Sequence, residues 1–441
     1  MGASFKKLDP GTRIRARLGE LSVQELLGGG SQGDVYAVTY NGDRKALKWY
    51  RNDAFLDRES FMRNLQRNAT NGSPSGDFLW PLDVTEVQED GCFGYVMDLR
   101  PQEFVQADDV LIHPDLFPSY RRIIDVCLNI AHAFRKLHQA GYVYRDISAG
   151  NFFVNPQTGM VLICDNDNVA PPGVDTGIRG TPRFMAPEIV VNNTAPTEKS
   201  DRHSLSVIIF YLMLMQHPLE GMRADMLDAE TQKLIYGTDP LFIFDTEDRS
   251  NAPVPGASGA LELWNALPQH MRDMFARAFS RDVLMNPSHR PAEINWIREL
   301  VRLRSEVVTC PACGSTDVFL QDAMSQPCDN PSCHAAVRVP LRLELSLMGY
   351  SLPLVDDMRV YACQTSIVCD AARALDPVAW ALPAGERGAG HCIRNISTTP
   401  WKARFQGKDY DVNPGQAIAV LPGIELQFGD ETARIVENDM P

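Results

Sequence analysis

The chain has 441 residues, a length typical of two or three domains. With 44% hydrophobic and 22% charged residues, its composition is that of an ordinary globular protein and excludes a fibrous or largely disordered chain. Its 56 acidic residues outnumber the 42 basic ones, and the net charge of −14 argues against nucleic acid or an anionic membrane as a partner.

No segment of the sequence predicts secretion or membrane insertion. The first ten residues are polar and lack an apolar signal core. The longest apolar run, residues 207–215, is shorter than the roughly 20 residues that a membrane-spanning helix needs. We therefore expect a cytoplasmic protein, in a reducing compartment where closely spaced cysteines favour metal binding over disulfides.

The residue pattern divides the chain into three regions. Residues 1–304 mix short strand patterns with longer helical ones, residues 305–336 carry paired cysteines, and residues 337–441 show short alternating strands broken by Gly and Pro. The first pattern predicts an α+β fold and the last an all-β, sandwich-like domain. The predicted C-terminal strands are 337–347, 360–368, 392–396, 403–405, 417–420 and 424–428.

Two helices can be predicted within the first region. In Tyr120–Gln139 the apolar residues recur at helical spacing, and Gly141 follows as a helix end. Residues 204–215 are apolar nearly all round, which predicts a helix buried in a domain interior.

A glycine-rich segment near the start has the pattern G-x-G-x-x-G-x-V, formed by Gly28, Gly30, Gly33 and Val35. Glycines allow backbone N–H groups to approach phosphate oxygens because no Cβ is in the way. An ordinary glycine-rich turn has the same pattern. A dinucleotide-binding loop would need a helix directly after the last glycine, whereas residues 35–40 have a strand pattern, so we expect the loop to close a β-hairpin.

Lys48 lies in the next predicted strand, with its side chain expected to point into the protein. A buried lysine needs a charge partner, which phosphate oxygens and a carboxylate would supply. Glu59, on the helix that follows, is the nearest suitable carboxylate, in line with Phe55 and Met62. A glutamate at this position can also be an ordinary surface residue.

The segment of residues 137–151, LHQAGYVYRDISAGN, resembles the catalytic loop of Hanks-type, eukaryotic-like protein kinases. Further matches follow in the family's order: Asp165 after a strand, G-T-P-R-F-M-A-P-E at residues 180–188, Asp201 in the buried helix, and Arg290. The resemblance covers about residues 18–304. It implies the two-lobed kinase fold, with an N-lobe at about 18–98 and a C-lobe at about 99–304.

The resemblance also implies how ATP and magnesium would be bound. The glycine-rich loop would cover the phosphates, Lys48 held by Glu59 would anchor the α- and β-phosphates, and Asp98 would lie where the interlobe hinge meets adenine. Asn151 and Asp165 would hold Mg²⁺, a hard ion that prefers oxygen ligands.

For the chemistry, the resemblance makes Asp146 the residue that accepts or orients the substrate hydroxyl proton. Thr181 and Pro187 lie in the segment that resembles the family's peptide-docking platform, which favours a protein substrate and serine or threonine as the acceptor. Arg145, directly before Asp146, resembles kinases that are switched by activation-loop phosphorylation. Thr176 is then the candidate site, or a plain loop threonine.

Two departures from the family pattern affect the predicted activity. Asp165-Asn166-Asp167 replaces D-F-G, and Ser148 stands where serine/threonine kinases usually carry lysine. Without the positive charge of that lysine, the activation barrier would be a few kcal/mol higher, which would slow the reaction about 10²-fold or more. Besides an active serine/threonine protein kinase, a pseudokinase scaffold and a small-molecule phosphotransferase therefore stay open as alternatives.

Cys310, Cys313, Cys328 and Cys333 form a C-x₂-C and a C-x₄-C pair separated by fourteen residues. Four thiolates at this spacing predict a tetrahedral structural Zn²⁺ site, and the first pair resembles the knuckle of zinc ribbons. His334 is an alternative fourth ligand. Acidic residues outnumber basic ones from here to the end of the chain, which argues against nucleic-acid binding by this ribbon.

The C-terminal region resembles the end of a forkhead-associated β-sandwich, although the arginine and serine that such domains use for phosphothreonine are not recognisable. A kinase with a zinc-knuckle tail also resembles bacterial phosphorylation modules of the tellurite-resistance type. Beyond a protein substrate, that resemblance implies a von Willebrand factor A domain protein and a metal-dependent protein phosphatase as partners.

Overall fold

The computed structural model describes residues 7–30, 33–51, 57–224, 228–256, 258–315, 318–319, 325–328, 330, 332–382 and 391–437. No helix in these ranges is both long and apolar enough to cross a membrane. The described helices are α1 (Arg58–Asn71), α2 (Ala107–Ile112), α3 (Tyr120–Gln139), α4 (Pro187–Asn192), α5 (Glu198–Leu214), α6 (Ala229–Lys233), α7 (Ser258–Ala266), α8 (Gln269–Ala278), α9 (Arg281–Met285) and α10 (Glu293–Glu306).

The strands fall into an N-terminal, a middle and a C-terminal group. The first comprises β1 (Arg13–Arg15), β2 (Glu20–Gly29), β3 (Gly33–Tyr40), β4 (Asp43–Tyr50), β5 (Asp83–Val84), β6 (Phe93–Asp98), β7 (Val105–Gln106), β8 (Phe152–Val154) and β9 (Val161–Ile163). The second comprises β10 (Val307–Val308), β11 (Val318–Phe319), β12 (Ser325–Pro327) and β13 (Ala336–Arg338). The third comprises β14 (Leu341–Leu345), β15 (Tyr350–Pro353), β16 (Arg359–Tyr361), β17 (Pro377–Leu382), β18 (Cys392–Asn395), β19 (Trp401–Phe405), β20 (Lys408–Val412), β21 (Ala417–Ala419), β22 (Glu425–Phe428) and β23 (Glu431–Glu437).

The N-terminal part is a six-stranded antiparallel sheet in the order β1-β2-β3-β4-β6-β5. Successive side chains of a strand point to opposite faces, and β4 shows the result. Leu47 and Trp49 join the apolar cluster on one face, while Ala46 and Tyr50 join the cluster on the other, where α1 contributes Phe61. The sheet therefore buries both faces of its central strands.

The helical part that follows is built around α3, α5 and α10. The predicted helix at Tyr120–Gln139 is confirmed at both ends. The predicted buried helix, residues 204–215, corresponds to α5, which ends one residue before the predicted end, at Leu214, and begins earlier, at Glu198. The reason is a cap: the Thr197 hydroxyl accepts a hydrogen bond from the backbone N–H of Ser200 at 3.3 Å.

The cysteine-bearing region connects to this helical part without a loop. Helix α10 runs to Glu306, two residues beyond the expected end of the first domain, and β10 begins at the next residue. Two short hairpins follow, β10 with β11 and β12 with β13. Their small buried core consists of Val308, Cys310, Cys328, Val337 and Val339.

The C-terminal strands form two antiparallel sheets, in the orders β15-β14-β23-β22-β19-β20 and β16-β17-β18-β21. One apolar core joins residues of both sheets, among them Leu343 and Ile435 from the first and Val360 and Ile393 from the second. Strands β15, β17, β20 and β23 have no counterpart among the predicted ones. In β20 four of the five residues are exposed, so its sequence carries almost no alternating apolar signal.

The predicted strand 360–368 is wrong beyond Tyr361, where β16 ends. Residues 362–376, which we call the docking segment, leave the sheet and pack on the helical part. Cys363 and Ala374 belong to the buried core around α3 and α5, and His132 of α3 lies 2.7 Å from the carbonyl oxygen of Ala371. Cys363 and Ala374 thus pack against helices instead of a neighbouring strand, whereas Ile367 and Val368 are exposed.

Arg298 of α10 makes the main polar contact with the docking segment. Its guanidinium donates to the carbonyl oxygens of Cys363, Ser366 and Ile367 at 3.1, 2.9 and 2.7 Å. We expect Arg298→Ala to lower the free energy of unfolding by about 1–3 kcal/mol, because these carbonyls lose a charged donor. Urea unfolding of the full chain measures the loss.

Arg373→Ala is the matched control, since Arg373 is an exposed residue of the same segment whose side chain, within the described part of the chain, pairs only with exposed Asp376. Surface pairs of this kind contribute little to stability. Equal unfolding free energies for the two variants would contradict the docking role of Arg298.

Candidate active site

The glycine-rich segment closes the hairpin between β2 and β3, as predicted. The Gly30 N–H donates to the Gly33 carbonyl at 2.8 Å, while Ser31 and Gln32 lie outside the described residues. A Cβ on Gly33 would overlap with the backbone of Trp49, so this glycine allows β3 and β4 to pair closely. A Cβ on Gly28 would have no atom within 4 Å.

Lys48 lies in the middle of β4, between Val35 of β3 and Tyr95 of β6. Only 7% of the residue is exposed. Its ammonium nitrogen is 2.7 Å from Oδ2 of Asp167 and 3.2 Å from Oδ1 of Asp165. Burial lowers the pKa of Lys48, but the two carboxylates outweigh burial and hold that pKa above its ordinary value. Lys48 is therefore a charged, buried cation.

The expected pair between Lys48 and Glu59 is not formed, and this prediction is wrong for the structure. Glu59 lies in the first turn of α1, has an 85% exposed side chain and faces Arg63 at 3.6 Å. The buried side of α1 carries Phe61, Asn64, Leu65 and Asn68. Phe55, with which Glu59 was expected to align on this helix, lies outside the described residues.

The segment Asp165-Asn166-Asp167 follows β9 and runs beneath Lys48. Asp165 has the left-handed backbone φ of 53° and a 42% exposed carboxylate. Asn166 and Asp167 are fully buried. The Asn166 amide donates to the carbonyls of Leu79 at 2.9 Å and Ile163 at 2.8 Å. Asp167 was not predicted as a site residue. The pattern that could have indicated it is the second acidic residue shortly after the strand.

The catalytic-loop segment is attached to the buried helix α5. The backbone N–H groups of Tyr144 and Arg145 donate to the two oxygens of Asp201 at 2.7 and 2.9 Å. Arg145 has a left-handed φ of 81°, a strained backbone for a residue other than glycine. The carboxylate of Asp201 therefore fixes the chain directly before Asp146.

Asp146 itself is held from two sides. The Thr181 hydroxyl donates to Oδ1 of Asp146 at 2.9 Å, and the Asn151 amide donates to the Asp146 backbone carbonyl at 2.8 Å. Burial raises the pKa of the Asp146 carboxyl above its ordinary value, although the Thr181 hydroxyl lowers it. The carboxylate thus already accepts one alcohol O–H from the chain.

The remaining predicted residues around the site make separate contacts. The side chain of Asp98, at the end of β6, pairs with Lys45 at 2.6 Å. Arg290 donates two hydrogen bonds to the Glu188 carboxylate, at 2.8 and 2.6 Å. The Arg145 guanidinium forms no ion pair among the described residues, and it donates a hydrogen bond to the Thr176 hydroxyl at 3.1 Å.

The oxygens of Asp165 and Asn151 suit a magnesium ion. The two residues are close because the N–H of Cys164 donates to the Asn151 carbonyl at 3.0 Å. The Asn151 amide nitrogen is used by Asp146, so the amide oxygen is the atom left for a cation. A carboxylate and an amide oxygen are the donor types that this hard ion prefers.

The four predicted zinc ligands come together. The sulfurs of Cys310, Cys313, Cys328 and Cys333 all lie within 4.8 Å of one another, with distances of 3.9 Å between Cys310 and Cys333 and 3.6 Å between Cys313 and Cys328. Sulfurs on a tetrahedron with bonds of about 2.3 Å would be roughly 3.8 Å apart. The donor set therefore fits Zn²⁺, and His334 is not part of it.

The two glycines predict different mutational effects. Gly33→Ala should weaken nucleotide binding at least tenfold and destabilise the N-terminal sheet by about 1–3 kcal/mol, because the added Cβ forces β3 away from β4. Gly28→Ala, which has room for the methyl group, should leave stability unchanged. Thermal unfolding and nucleotide titration of both variants test this; equal destabilisation would refute it.

Comparison with known proteins finds a family match for the middle of the chain. Residues 82–284 match the family model of the protein kinase domain. The chain is 26% identical over 210 residues to a protein of Corynebacterium efficiens named "Probable serine/threonine-protein kinase", covering 44% of this chain and 31% of that protein. It is 28% identical over 214 residues to the serine/threonine-protein kinase PknA of Mycobacterium tuberculosis, covering 46% and 48%.

A third relative is the protein kinase C delta type of Rattus norvegicus, 26% identical over 223 residues, which cover 48% of this chain and 32% of that protein. The chain thus spans less than half the length of these curated relatives. The family match begins after Lys48 and does not include this residue. The loop held by Asp201 therefore lies within the segment, residues 82–284, that matches the protein kinase domain.

Proposed function

We propose that this protein is an ATP- and magnesium-dependent serine/threonine protein kinase. The observation that supports this most is a continuous set of contacts across the cleft. Lys48 contacts Asp165, the residue before Asp165 is bonded to Asn151, and Asn151 is bonded to Asp146. These four side chains are the ones that phosphoryl transfer in kinases requires.

Each of the four has a separate task in the proposed reaction. Lys48 is charged and attracts the phosphates of ATP, and Asp146 accepts or orients the proton of the attacking hydroxyl. Asn151 and Asp165 would hold the magnesium ion, which would neutralise charge on the phosphates. The glycine-rich hairpin, in which the space beside Gly28 is open, would cover the phosphates, and backbone groups near Asp98 would meet adenine.

Serine or threonine is the proposed acceptor because Asp146 already accepts a hydrogen bond from an aliphatic hydroxyl, that of Thr181. A substrate hydroxyl would take this place when the segment around Thr181 moves. Protein substrates agree with the segment from Gly180 to Glu188, which Arg290 fixes to the helical part. Phosphorylation of Thr176, beside Arg145, is the proposed activating modification.

The cysteine-bearing region, residues 305–336, is proposed to bind one structural Zn²⁺. Its described core is small, so burial alone contributes little to its folding, and metal affinity would supply the remainder. Four thiolates would complete the coordination of the ion and leave no position for a substrate. The C-terminal sandwich, residues 337–441, would then serve protein interactions.

The proposed partners follow from the resemblance to bacterial tellurite-resistance modules. A von Willebrand factor A domain protein is the first substrate to try, and a metal-dependent protein phosphatase would reverse its phosphorylation. A cytoplasmic location agrees with both.

The catalytic proposal predicts distinct effects for two substitutions. Asp146→Asn should lower phosphate transfer from labelled ATP to a generic protein by about 10³-fold or more while ATP affinity stays nearly unchanged, since this residue acts on the acceptor hydroxyl. Asp165→Ala should weaken magnesium-dependent ATP binding itself. Turnover measurements alongside calorimetric ATP titration separate the two.

The matched control is Asp282→Asn. Asp282 is an exposed residue of α9, and its side chain pairs, among the residues that the structure describes, only with His289 in the turn after this helix. This variant should behave as the wild type in both assays. Undiminished phosphate transfer by Asp146→Asn would refute the kinase proposal, and a wild-type protein that binds ATP without transferring phosphate would favour the pseudokinase scaffold.

The zinc proposal predicts one equivalent of Zn²⁺ per chain by elemental analysis. Cys310→Ser combined with Cys313→Ser should remove the metal, because two thiolates cannot complete the tetrahedron. Cys392→Ser, a half-buried cysteine outside the cluster, is the control and should keep the full equivalent. A double variant that retains zinc would exclude this site.

A further inference from the structure

The buried lysine of this site lacks the partner that its family resemblance implies. Glu59 is the sole carboxylate within α1, and it lies on the exposed side. Lys48 is nevertheless buried and charged, which requires a counter-charge within the protein. The structure supplies two carboxylates from the other side of the cleft, Asp165 and Asp167.

The two carboxylates differ in what else they contact. Asp165 is partly exposed to solvent, and its Oδ1 atom lies 3.2 Å from the Lys48 ammonium nitrogen. Asp167 is fully buried, and its Oδ2 atom lies 2.7 Å from the ammonium. The same oxygen accepts the hydroxyl of Tyr50, two residues further along β4. Asp167 is therefore the closer and better fixed partner of the lysine.

Asp167 is held in position by amides rather than by other charges. Asn166 bonds to Leu79 and Ile163, and from α1 the amides of Asn64 and Asn68 each donate to the Val169 carbonyl at 2.8 Å. Helix α1 thus contributes neutral side chains that fix the backbone after Asp167. It contributes no charge to Lys48.

We propose that Asp167 is the positioning residue for Lys48 and takes the place of a helix carboxylate. By neutralising the ammonium, Asp167 leaves the carboxylate of Asp165 available for the cation that the proposed function assigns to it. Because Lys48 and Asp167 pair across the cleft, their contact does not depend on the position of the first turn of α1. This inference rests on the proposed kinase function.

The test compares Asp167→Asn with Glu59→Gln by calorimetric titration of the full-length protein with ATP and Mg²⁺. Both changes remove one negative charge with almost no change in shape. Asp167→Asn should weaken ATP binding at least tenfold and raise the magnesium concentration needed for half-maximal binding, because Lys48 then competes for Asp165. Glu59→Gln should bind within twofold of the wild type.

A double-mutant cycle shows whether Asp167 acts through Lys48. In a Lys48→Met background, Asp167→Asn should cause no further loss of ATP affinity. Tyr50→Phe, which removes the hydroxyl on Asp167 but keeps its charge, should leave ATP affinity within about threefold while lowering the unfolding temperature. A loss in Tyr50→Phe as large as in Asp167→Asn would indicate a merely structural role and overturn the inference.

Three further results would overturn the assignment of Asp167. The first is a tenfold loss of ATP affinity in Glu59→Gln, and the second is normal ATP affinity and magnesium dependence in Asp167→Asn. The third is a loss of ATP affinity in the Lys48→Met and Asp167→Asn double variant that equals the sum of the two single losses. Glu59→Gln changes an exposed side chain, so its result stands even if Asp167→Asn does not fold. A wild-type protein that fails to bind ATP would refute the proposed function itself, which distinguishes that failure from a wrong partner for Lys48.

Discussion

The carboxylate of Asp201 carries the contacts on which the catalytic loop depends. It accepts the backbone N–H groups before Asp146 and also lies 3.1 Å from His138 of α3. His138 in turn contacts Glu293 of α10 at 2.9 Å. Burial lowers the pKa of His138, but the hydrogen bonds to both carboxylates outweigh it and raise this pKa to about 9. A charged histidine therefore joins three helices beneath the loop, and a buried carboxylate without such partners would be strongly destabilising.

A second group of buried charges joins the N-terminal sheet to the helical part. Lys48 contacts Asp167 across the cleft, and Asn166 beside it bonds to chain segments on both sides. In a kinase with D-F-G, an apolar phenylalanine occupies the second position of this motif. A buried asparagine with two hydrogen bonds cannot leave its position without exposing unpaired carbonyls, at a cost of about 1–3 kcal/mol for each group. The two halves of the site are thus connected by polar contacts that favour a single arrangement.

The C-terminal sandwich is attached to the same helices that hold the catalytic loop. The docking segment contacts α3 through His132 and α10 through Arg298. Helix α10 also carries Glu293 and continues directly into β10 of the cysteine-bearing region. Both C-terminal regions are therefore in direct contact or chain continuity with helices that also support the loop before Asp146. The regions predicted as three successive domains share buried contacts in the folded protein.

The sequence alone determined the features that lie within short stretches of chain. The helix at Tyr120–Gln139, the loop around Asp146 and the spacing of the four cysteines could be predicted because neighbouring residues repeat or combine in a recognisable local pattern. Two features depended on contacts between distant residues. The partner of Lys48 lies 119 positions away and was decided by the rotation of α1, which turns Glu59 to solvent. The prediction extends a strand through residues 362–368, whereas Cys363 of this stretch packs into the core around the helices. Local sequence records which side chains need burial or a partner, and only the tertiary structure decides which surface or charge meets them.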